Sequence, residues 1–258
     1  SRGLGDVYKR QEVVSVGVMY YAALLPCVIA SIIAAEFATG VGLNPETFPV
    51  ARIPQLSLES GLKMAVIAAG CGLLSILFCV ALKAVSGIYG KYLKNPYLRV
   101  CVAGCLVIGI TMLLGTGDYM GAGNELIAKA VEQGKARPLD FLWKMILTAI
   151  TMRAGYRGGE IVPAFSVGAT FGCVAGGLLG FSPEVAAAAS MVALFCGVTN
   201  CPIASMLISF ELFGFSGAAY YLIAISISYA LSGYYSLYKD QTIVYSKYKA
   251  RYINKKTH

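Results

Sequence analysis

Residues 155–183 read GYRGGEIVPAFSVGATFGCVAGGLLGFSP and combine a polar, glycine-rich start with a long apolar continuation. The 23 residues 161–183 contain no Asp, Glu, Lys or Arg, and about 20 apolar residues suffice for a helix to cross a bilayer. Gly158, Gly159 and Pro163 stand at the start of this run, so a helix is predicted to begin here after a break in the chain. Apolar segments that glycine and proline interrupt typically stop inside the membrane at a binding site.

The chain as a whole has the composition of a membrane protein. Of its 258 residues, 57% are hydrophobic and 13% are charged, whereas soluble domains carry roughly 25% charged residues. Further uncharged runs occupy 13–35, 64–82, 100–117, 185–210 and 212–238. Because backbone polar groups in lipid must be hydrogen-bonded internally, these runs are predicted to be helices. The predicted fold class is therefore all-α, a polytopic helical membrane protein, and the composition excludes soluble enzymes and nucleic-acid-binding domains.

The distribution of Lys and Arg predicts the orientation of the chain. Residues 239–258 hold six Lys or Arg residues against one Asp, and residues 83–99 hold four against no acidic residue. Because Lys and Arg concentrate on the cytoplasmic side of membranes, both segments are expected in the cytoplasm. A lipid-binding or nucleic-acid-binding arm is the less favoured interpretation of the basic tail.

The cysteine and histidine content argues against a metal centre. The eight cysteines are interpreted as small, buried hydrophobic residues. Cys101 and Cys105 would share a helix face, but the one histidine is His258, so no imidazole is expected to complete a zinc site. Without a histidine base or a nucleophile–base pair in the spans, no enzyme activity is expected, and no cofactor or metal is predicted.

The start of the helix after Gly159 is a candidate anion site. The amides of Glu160 and Ile161 would point from the positive end of a helix into the membrane, where a small anion could accept their hydrogen bonds. For a generic motif of this kind, a capped helix start without a ligand is the alternative interpretation.

Three segments together resemble the CLC family of chloride channels and anion/proton antiporters. Residues 159–163 resemble the family's Gly-x-Phe-x-Pro region. Residues 194–213, LFCGVTNCPIASMLISFELF, resemble a family segment of small residues that contains a proline and ends near a glutamate, here Pro202 and Glu211. Tyr245 matches the family tyrosine whose hydroxyl faces the anion. The resemblance covers about residues 12–252, with the three segments in the family's order and spacing.

The resemblance implies a homodimer with one anion pathway per subunit, each pathway built from two inverted halves. This chain resembles the second half alone, with short interrupted helices, and a first half with Gly-Ser-Gly-Ile-Pro and Gly-Arg-Glu-Gly-Pro motifs is expected upstream. The implied anion-binding residues are Gly159, Glu160, Ile161 and Tyr245. The implied function is transport of a small inorganic anion, chloride by default, across a bacterial plasma membrane.

Glu160 departs from the pattern of chloride transporters, which usually carry an apolar residue at this place, and Ile161 stands where Phe is common. A carboxylate beside an anion site is costly unless it takes a proton or a partner such as Arg157. A glutamate here resembles the fluoride/proton-exchanging branch of the family. Fluoride/proton exchange is therefore the alternative function, with Glu160 as the candidate for proton coupling or selectivity. An acid stabilised only by the helix dipole is an equally weighted interpretation.

The sequence predicts three parts. Residues 1–11, SRGLGDVYKRQ, resemble a translated sequencing adapter and are expected to be non-native. Residues 12–238 are predicted to form the membrane domain, and residues 239–258 the basic cytoplasmic tail. A non-transporting, truncated membrane fragment is the remaining alternative for the chain.

Overall fold

The computed structural model describes residues 15–18, 22, 24–43, 47–50, 53–238, 241–249 and 251–257, so the predicted adapter segment, residues 1–11, lies outside the described residues. Three short strands are present in the described part of the chain: β1 Ser15–Val16, β2 Thr242–Tyr245 and β3 Tyr252–Lys256. The helices in that part are α1 Leu24–Gly40, α2 Leu58–Tyr92, α3 Pro96–Leu114, α4 Asn124–Glu132, α5 Asp140–Ala154, α6 Ile161–Leu178, α7 Pro183–Thr199, α8 Pro202–Phe213 and α9 Ala218–Leu231.

The helices confirm the prediction of a polytopic helical membrane protein. Three of the described helices, α2, α3 and α6, are long and apolar enough to cross a membrane. Helices α8 and α9 have 12 and 14 residues, as expected for short interrupted segments. Local signals fix several boundaries. Ser57 and Ser60 form a reciprocal capping box at the start of α2, and the Asn95 side chain accepts a hydrogen bond from the Tyr97 amide at the start of α3.

Helices α6 and α7 pack along a seam of small residues. A Cβ atom added at Gly168 would lie 2.6 Å from the Ser190 carbonyl oxygen, and one at Gly176 would lie 2.6 Å from the Ala186 Cβ. A Cβ at Gly172 would overlap both the Ala186 carbonyl oxygen and the Ser190 side chain. The two backbones therefore approach as closely as they do because three glycines, four residues apart, face α7.

Helix α7 occupies the centre of the molecule, and α3 occupies its surface. All residues 185–199 of α7 are buried, whereas Ala103 is the buried residue of α3. Cys101 and Cys105, on α3, are exposed. The prediction that all eight cysteines are buried was therefore wrong for these two, and Cys27 is only partly buried. An apolar residue on a membrane helix can face lipid as readily as protein.

A buried lysine holds the loop that joins α3 to α4. Lys144 of α5 is 1% exposed, and its ammonium donates to the carbonyl oxygens of Tyr119 (2.9 Å) and Gly121 (2.8 Å). The Tyr119 hydroxyl in turn donates to the Asp140 carboxylate at 2.6 Å. These contacts supply partners to polar groups that would otherwise be buried without any.

The basic tail forms part of a small sheet, which the all-α prediction did not include. Strand β2 pairs in parallel with β1, with Ser15 opposite Thr242, and antiparallel with β3, with Thr242 opposite Lys256. The tail was predicted from its charge alone, and charge carries no information about strand pairing. The sheet thus joins residues from the two ends of the described chain.

Candidate anion-binding site

The start of α6 is built by a break between two apolar helices. Helix α5 ends at Ala154, and α6 begins at Ile161. Gly155 turns the chain with a φ of +112°, a conformation that side chains other than glycine rarely adopt. Gly158 and Gly159, which the sequence places at this break, do not have a positive φ. Pro163 lies buried in the first turn of α6, where the proline ring fits without losing a helix hydrogen bond.

Glu160 is the residue that caps this helix start. Its carbonyl oxygen accepts the first backbone hydrogen bond of α6, from the Ala164 amide at 3.2 Å. The amides of the first turn have no acceptor within the helix and carry partial positive charge. The predicted residues Gly159, Glu160 and Ile161 therefore lie together at a helix N-terminus, as the sequence indicated, and their role as anion ligands stays a prediction.

The cation that pairs with Glu160 is Arg153. The Arg153 Nη2 lies 3.1 Å from the Glu160 Oε1, and the two side chains are 20% and 21% exposed. The suggestion of Arg157 was wrong, because Arg157 lies in the exposed part of the loop, whereas Arg153 is in the last turn of α5. Because residues 155–160 are not helical, no helical spacing in the sequence pointed to Arg153.

Tyr245 lies in strand β2 of the small sheet. Its side chain is half exposed in β2, its ring packs edge-on against Tyr252 at 5.9 Å between centroids, and Gly17 lies against it. Within the described residues, its hydroxyl makes no hydrogen bond to Gly159, Glu160 or Ile161. The role of Tyr245 as an anion ligand stays a prediction.

A cavity of about 370 Å³ opens next to Arg153. It lies where the end of α2, the end of α5 and the segment after α9 meet. The residues that line it are Cys79, Leu82, Lys83, Ser86, Gly87, Arg153, Ser236 and Leu237. The two charged residues in this lining, Lys83 and Arg153, are both cations, and Arg153 is paired with Glu160.

A second group of polar contacts, missed by the sequence analysis, anchors the tail beside α7. The Lys247 ammonium donates to the Asn200 Oδ1, to the Ser232 hydroxyl (2.9 Å) and to the Tyr229 carbonyl oxygen (3.2 Å). Burial lowers the pKa of Lys247 to about 8. The lysines of the tail were interpreted as an orientation signal, and no periodic pattern distinguished Lys247 from its exposed neighbours.

Asn200 is the centre of this group. It follows α7 directly in a left-handed conformation, with a φ of 59°. Its Nδ2 donates to the Tyr235 carbonyl oxygen (2.9 Å) and to the Gln241 Oε1 (3.0 Å). These hydrogen bonds connect the end of α7 to Tyr235, just before the tail, and to Gln241 within the tail.

Two curated relatives are similar to this chain over most of its length. A "Chloride/fluoride channel protein" of Pseudomonas syringae pv. tomato is 32% identical over 245 residues, which are 92% of this chain and 54% of the relative. An uncharacterized protein of Methanocaldococcus jannaschii is 22% identical over 243 residues, which are 93% of this chain and 61% of the relative. The chain thus spans between about half and three fifths of the length of the curated relatives it matches.

Solved structures agree with the fold. The crystal structure of a CLC-type fluoride/proton antiporter superimposes with a TM-score of 0.88 at 28% identity, over 93% of this chain and 61% of that one. The crystal structure of a eukaryotic CLC transporter superimposes with a TM-score of 0.66 at 21% identity, over 89% of this chain and 40% of that one, and supports the fold alone.

The family model described as "Voltage gated chloride channel" matches residues 11–233, which include every described helix and the break before α6. The chain therefore belongs to the CLC family of voltage gated chloride channels.

Proposed function

We propose that this chain is the second half of an anion transporter that exchanges fluoride for protons. The observation that carries the proposal is the Glu160 carboxylate at the N-terminus of α6, held by Arg153 at 3.1 Å. An anion site needs no carboxylate, and a largely buried acidic group in a membrane protein is costly unless it exchanges protons or pairs with a cation. The similarity to the fluoride/proton antiporter structure supports the same function.

The physical roles in the proposed mechanism are divided between the backbone and Glu160. The first-turn amides of α6 replace part of the hydration shell of the anion, and their partial charges bind it weakly enough for release. Glu160 accepts a proton when its ion pair with Arg153 opens, and it returns the proton on the other side of the exchange cycle. Tyr245 is retained as a candidate hydroxyl donor to the anion.

Chloride transport is the second candidate. The name of the Pseudomonas syringae relative includes both chloride and fluoride, and helix amides bind either anion. In a chloride transporter, Glu160 would act only as a dipole-stabilised acid that Arg153 neutralises. The two candidates differ in whether removal of the Glu160 charge changes the movement of protons.

The arrangement in the cell is proposed on the same basis. We place the chain in a bacterial plasma membrane, with residues 83–99 and the tail in the cytoplasm because both are basic. The polypeptide is completed by a first half that supplies the remaining anion ligands, and two copies form a homodimer. The molecule then moves an ion across the bilayer and carries out no chemical conversion.

The test is anion and proton flux through the full-length protein in liposomes, followed with fluoride-selective, chloride-selective and pH electrodes. We expect fluoride efflux to drive proton uptake, and Glu160→Gln to lower proton uptake at least tenfold. Glu125→Gln removes the same charge from an exposed site on α4 and serves as the matched control. Chloride efflux without proton movement would support the second candidate, and unchanged proton uptake in Glu160→Gln would contradict the proposed coupling.

A further inference from the structure

A larger cavity lies at the end of α6, one helix length from the candidate anion site at its start. Its volume is about 560 Å³, and sites for small organic ligands measure about 300–1,000 Å³. One part of the lining is apolar and comes from the last turns of α6, with Val174, Gly177 and Leu178. Another part comes from α4 and residues 134–138 and carries charged side chains. The cavity therefore combines an apolar and a polar surface.

This cavity is located where apolar helices end. Two of the helices long enough to cross a membrane, α3 and α6, end beside it. Asp118, four residues after the end of α3, and Leu178, the last residue of α6, both belong to its lining. Leu178 is 83% exposed, so the apolar side of the cavity opens toward lipid. At this boundary a phospholipid has its headgroup next to its acyl chains.

The cations of the neighbouring segment are concentrated in the lining. Residues 115–138 contain three basic and three acidic residues. All three basic residues, Lys129, Lys135 and Arg137, line the cavity, whereas the acidic residues Glu125 and Glu132 do not. The distribution of charge in this segment therefore favours a ligand with a negative group.

The two acidic residues of the lining leave positive charge available. The Asp118 carboxylate is shared between the Lys129 ammonium at 3.2 Å and the Arg137 guanidinium at 3.6 Å. Asp140 is buried and accepts a hydrogen bond from the Arg137 amide at 2.9 Å. Lys135 is exposed, and none of the ion pairs in the described part of the chain includes it. A phosphate group is the acceptor that lysine and arginine side chains bind together.

The apolar side of the cavity has free space beside Gly177. A Cβ atom added at Gly177 would meet no atom within 4 Å, whereas one added at the preceding residue, Gly176, would overlap the Ala186 Cβ. Gly176 therefore faces α7, and Gly177 leaves a gap in the surface of α6 next to Val174 and Leu178. A hydrocarbon chain in this gap would gain van der Waals contacts with the helix.

We propose that this cavity binds one anionic phospholipid, such as phosphatidylglycerol, from the leaflet at the ends of α3 and α6. The lipid phosphate accepts hydrogen bonds from Lys135 and Arg137, and the first part of an acyl chain lies in the gap at Gly177. The bound lipid connects the segment after α4 to α6 and so stabilises the folded protein. The inference goes beyond the proposed transport function and does not depend on which ion is carried.

The first experiment tests the contact with the headgroup. Full-length protein in detergent is titrated with phosphatidylglycerol or with phosphatidylcholine of the same acyl chains, and bound lipids are counted by native mass spectrometry. We expect phosphatidylglycerol to bind about fivefold more tightly, and Lys135→Gln to remove most of this preference. Lys135→Arg should retain it, and Lys255→Gln makes the same charge change at an exposed residue of β3 and should leave it unchanged. Equal losses in Lys135→Gln and Lys255→Gln would overturn the headgroup contact.

The second experiment tests the location. Gly177→Leu fills the gap in α6 without meeting another atom, and Gly109→Leu adds the same atoms to an open position on α3. We expect Gly177→Leu to weaken phosphatidylglycerol binding about fivefold or more, with the melting temperature of the lipid-free protein unchanged, and Gly109→Leu to bind as the wild type does. Unchanged binding in Gly177→Leu would overturn the proposed site.

A competition measurement separates a lipid from a soluble phosphate compound. Glycerol 3-phosphate carries the phosphate without acyl chains, and we expect it not to displace phosphatidylglycerol when present in about tenfold molar excess, because it makes no contact with the gap at Gly177. Displacement by glycerol 3-phosphate would show that the cavity recognises a soluble phosphate ester and would overturn the assignment to a lipid.

Discussion

Helices α7 and α3 are similar in apolar character and opposite in position. Helix α7 has every one of residues 185–199 buried, and α3 leaves Met112 and Leu113 77% and 88% exposed. The difference lies in side-chain size. Helix α7 carries a run of alanines at 186–189, whereas α3 is rich in Val, Leu, Ile and Met. Because lipid is as apolar as leucine, hydrophobicity does not distinguish a buried helix such as α7 from an exposed one such as α3. Small side chains, which permit close backbone contact, do separate them.

The largest expected effect comes from adding volume where α6 meets α7. Gly172→Val should destabilise the protein by about 3 kcal/mol or more, since its side chain has no room beside Ala186 and Ser190. Gly109→Val adds the same atoms to α3, where no neighbouring atom lies within 4 Å, and should be nearly neutral. Thermal unfolding in detergent, followed through the fluorescence of Trp143, measures both. Equal losses of stability in the two variants would contradict the proposed difference in packing between α7 and α3.

The polar end of α7 should give the next largest effect. Asn200→Ala removes the acceptor of Lys247 and the donor to Tyr235 and Gln241, and it leaves a left-handed residue without its usual side chain. We expect a loss of about 2–4 kcal/mol. Asn200→Gly loses the same hydrogen bonds but adopts the conformation freely, so it should be about 1 kcal/mol less damaging. Limited proteolysis of the tail and thermal unfolding check both variants, and identical values would show that the backbone conformation contributes nothing.

At the start of α3, one side chain provides an inward polar contact. The Arg99 Nε donates to the Ala154 carbonyl oxygen at the end of α5, at 2.9 Å. Arg99→Met should cost about 1–2 kcal/mol. Lys94→Met makes the same charge change at an exposed residue just before α3 and should stay within about 0.5 kcal/mol of the wild type. A drop in melting temperature of a few degrees for Arg99→Met alone is the expected result.

The smallest effect is expected beyond the other end of α3, where Asp118 lies 3.2 Å from the Lys129 ammonium and 3.6 Å from Arg137. Hydrogen bonds from Thr116 and Lys129 hold the pKa of Asp118 below its ordinary value of 3.8. A lowered carboxyl pKa stabilises the fold above about pH 4, and this contribution is lost as the pH falls through the folded-state pKa. Asp118→Asn should therefore lower stability by under 1 kcal/mol at pH 7. Melting temperatures of the wild type and of Asp118→Asn, measured between pH 3 and pH 7, should converge at acidic pH. A difference in melting temperature that stays constant over this range would contradict the stabilising role of the Asp118 charge.

The order and extent of the helices could be predicted from the sequence because lipid imposes strict length and composition limits. The uncharged run 64–82 lies within α2, and the uncharged run 161–183 contains α6. The break before α6 was also predictable, because Gly158, Gly159 and Pro163 leave few alternatives to a new helix start.

The partners of charged residues could not be predicted, since they depend on how helices rotate about their axes. Arg153 pairs with Glu160 although Arg157 is nearer in sequence, because α5 presents Arg153 toward the start of α6. Lys247 is partly buried and makes three hydrogen bonds in a segment whose composition indicated a solvated tail. Both contacts depend on the packing of several segments, which hydropathy does not encode.

Ser15 pairs with Thr242, and Val16 pairs with Ile243. The segments before and after the membrane helices are therefore joined in one sheet. If the two ends were not in contact, loss of a segment at one end would leave the other end unchanged. Here the strands from the two ends stabilise each other. Loss of residues 15–16 would deprive β2 of one of its two neighbouring strands, next to the segment that carries Lys247 and touches the end of α7. Within the described residues, β1 and the tail therefore support each other, and loss of either strand is expected to disturb the other.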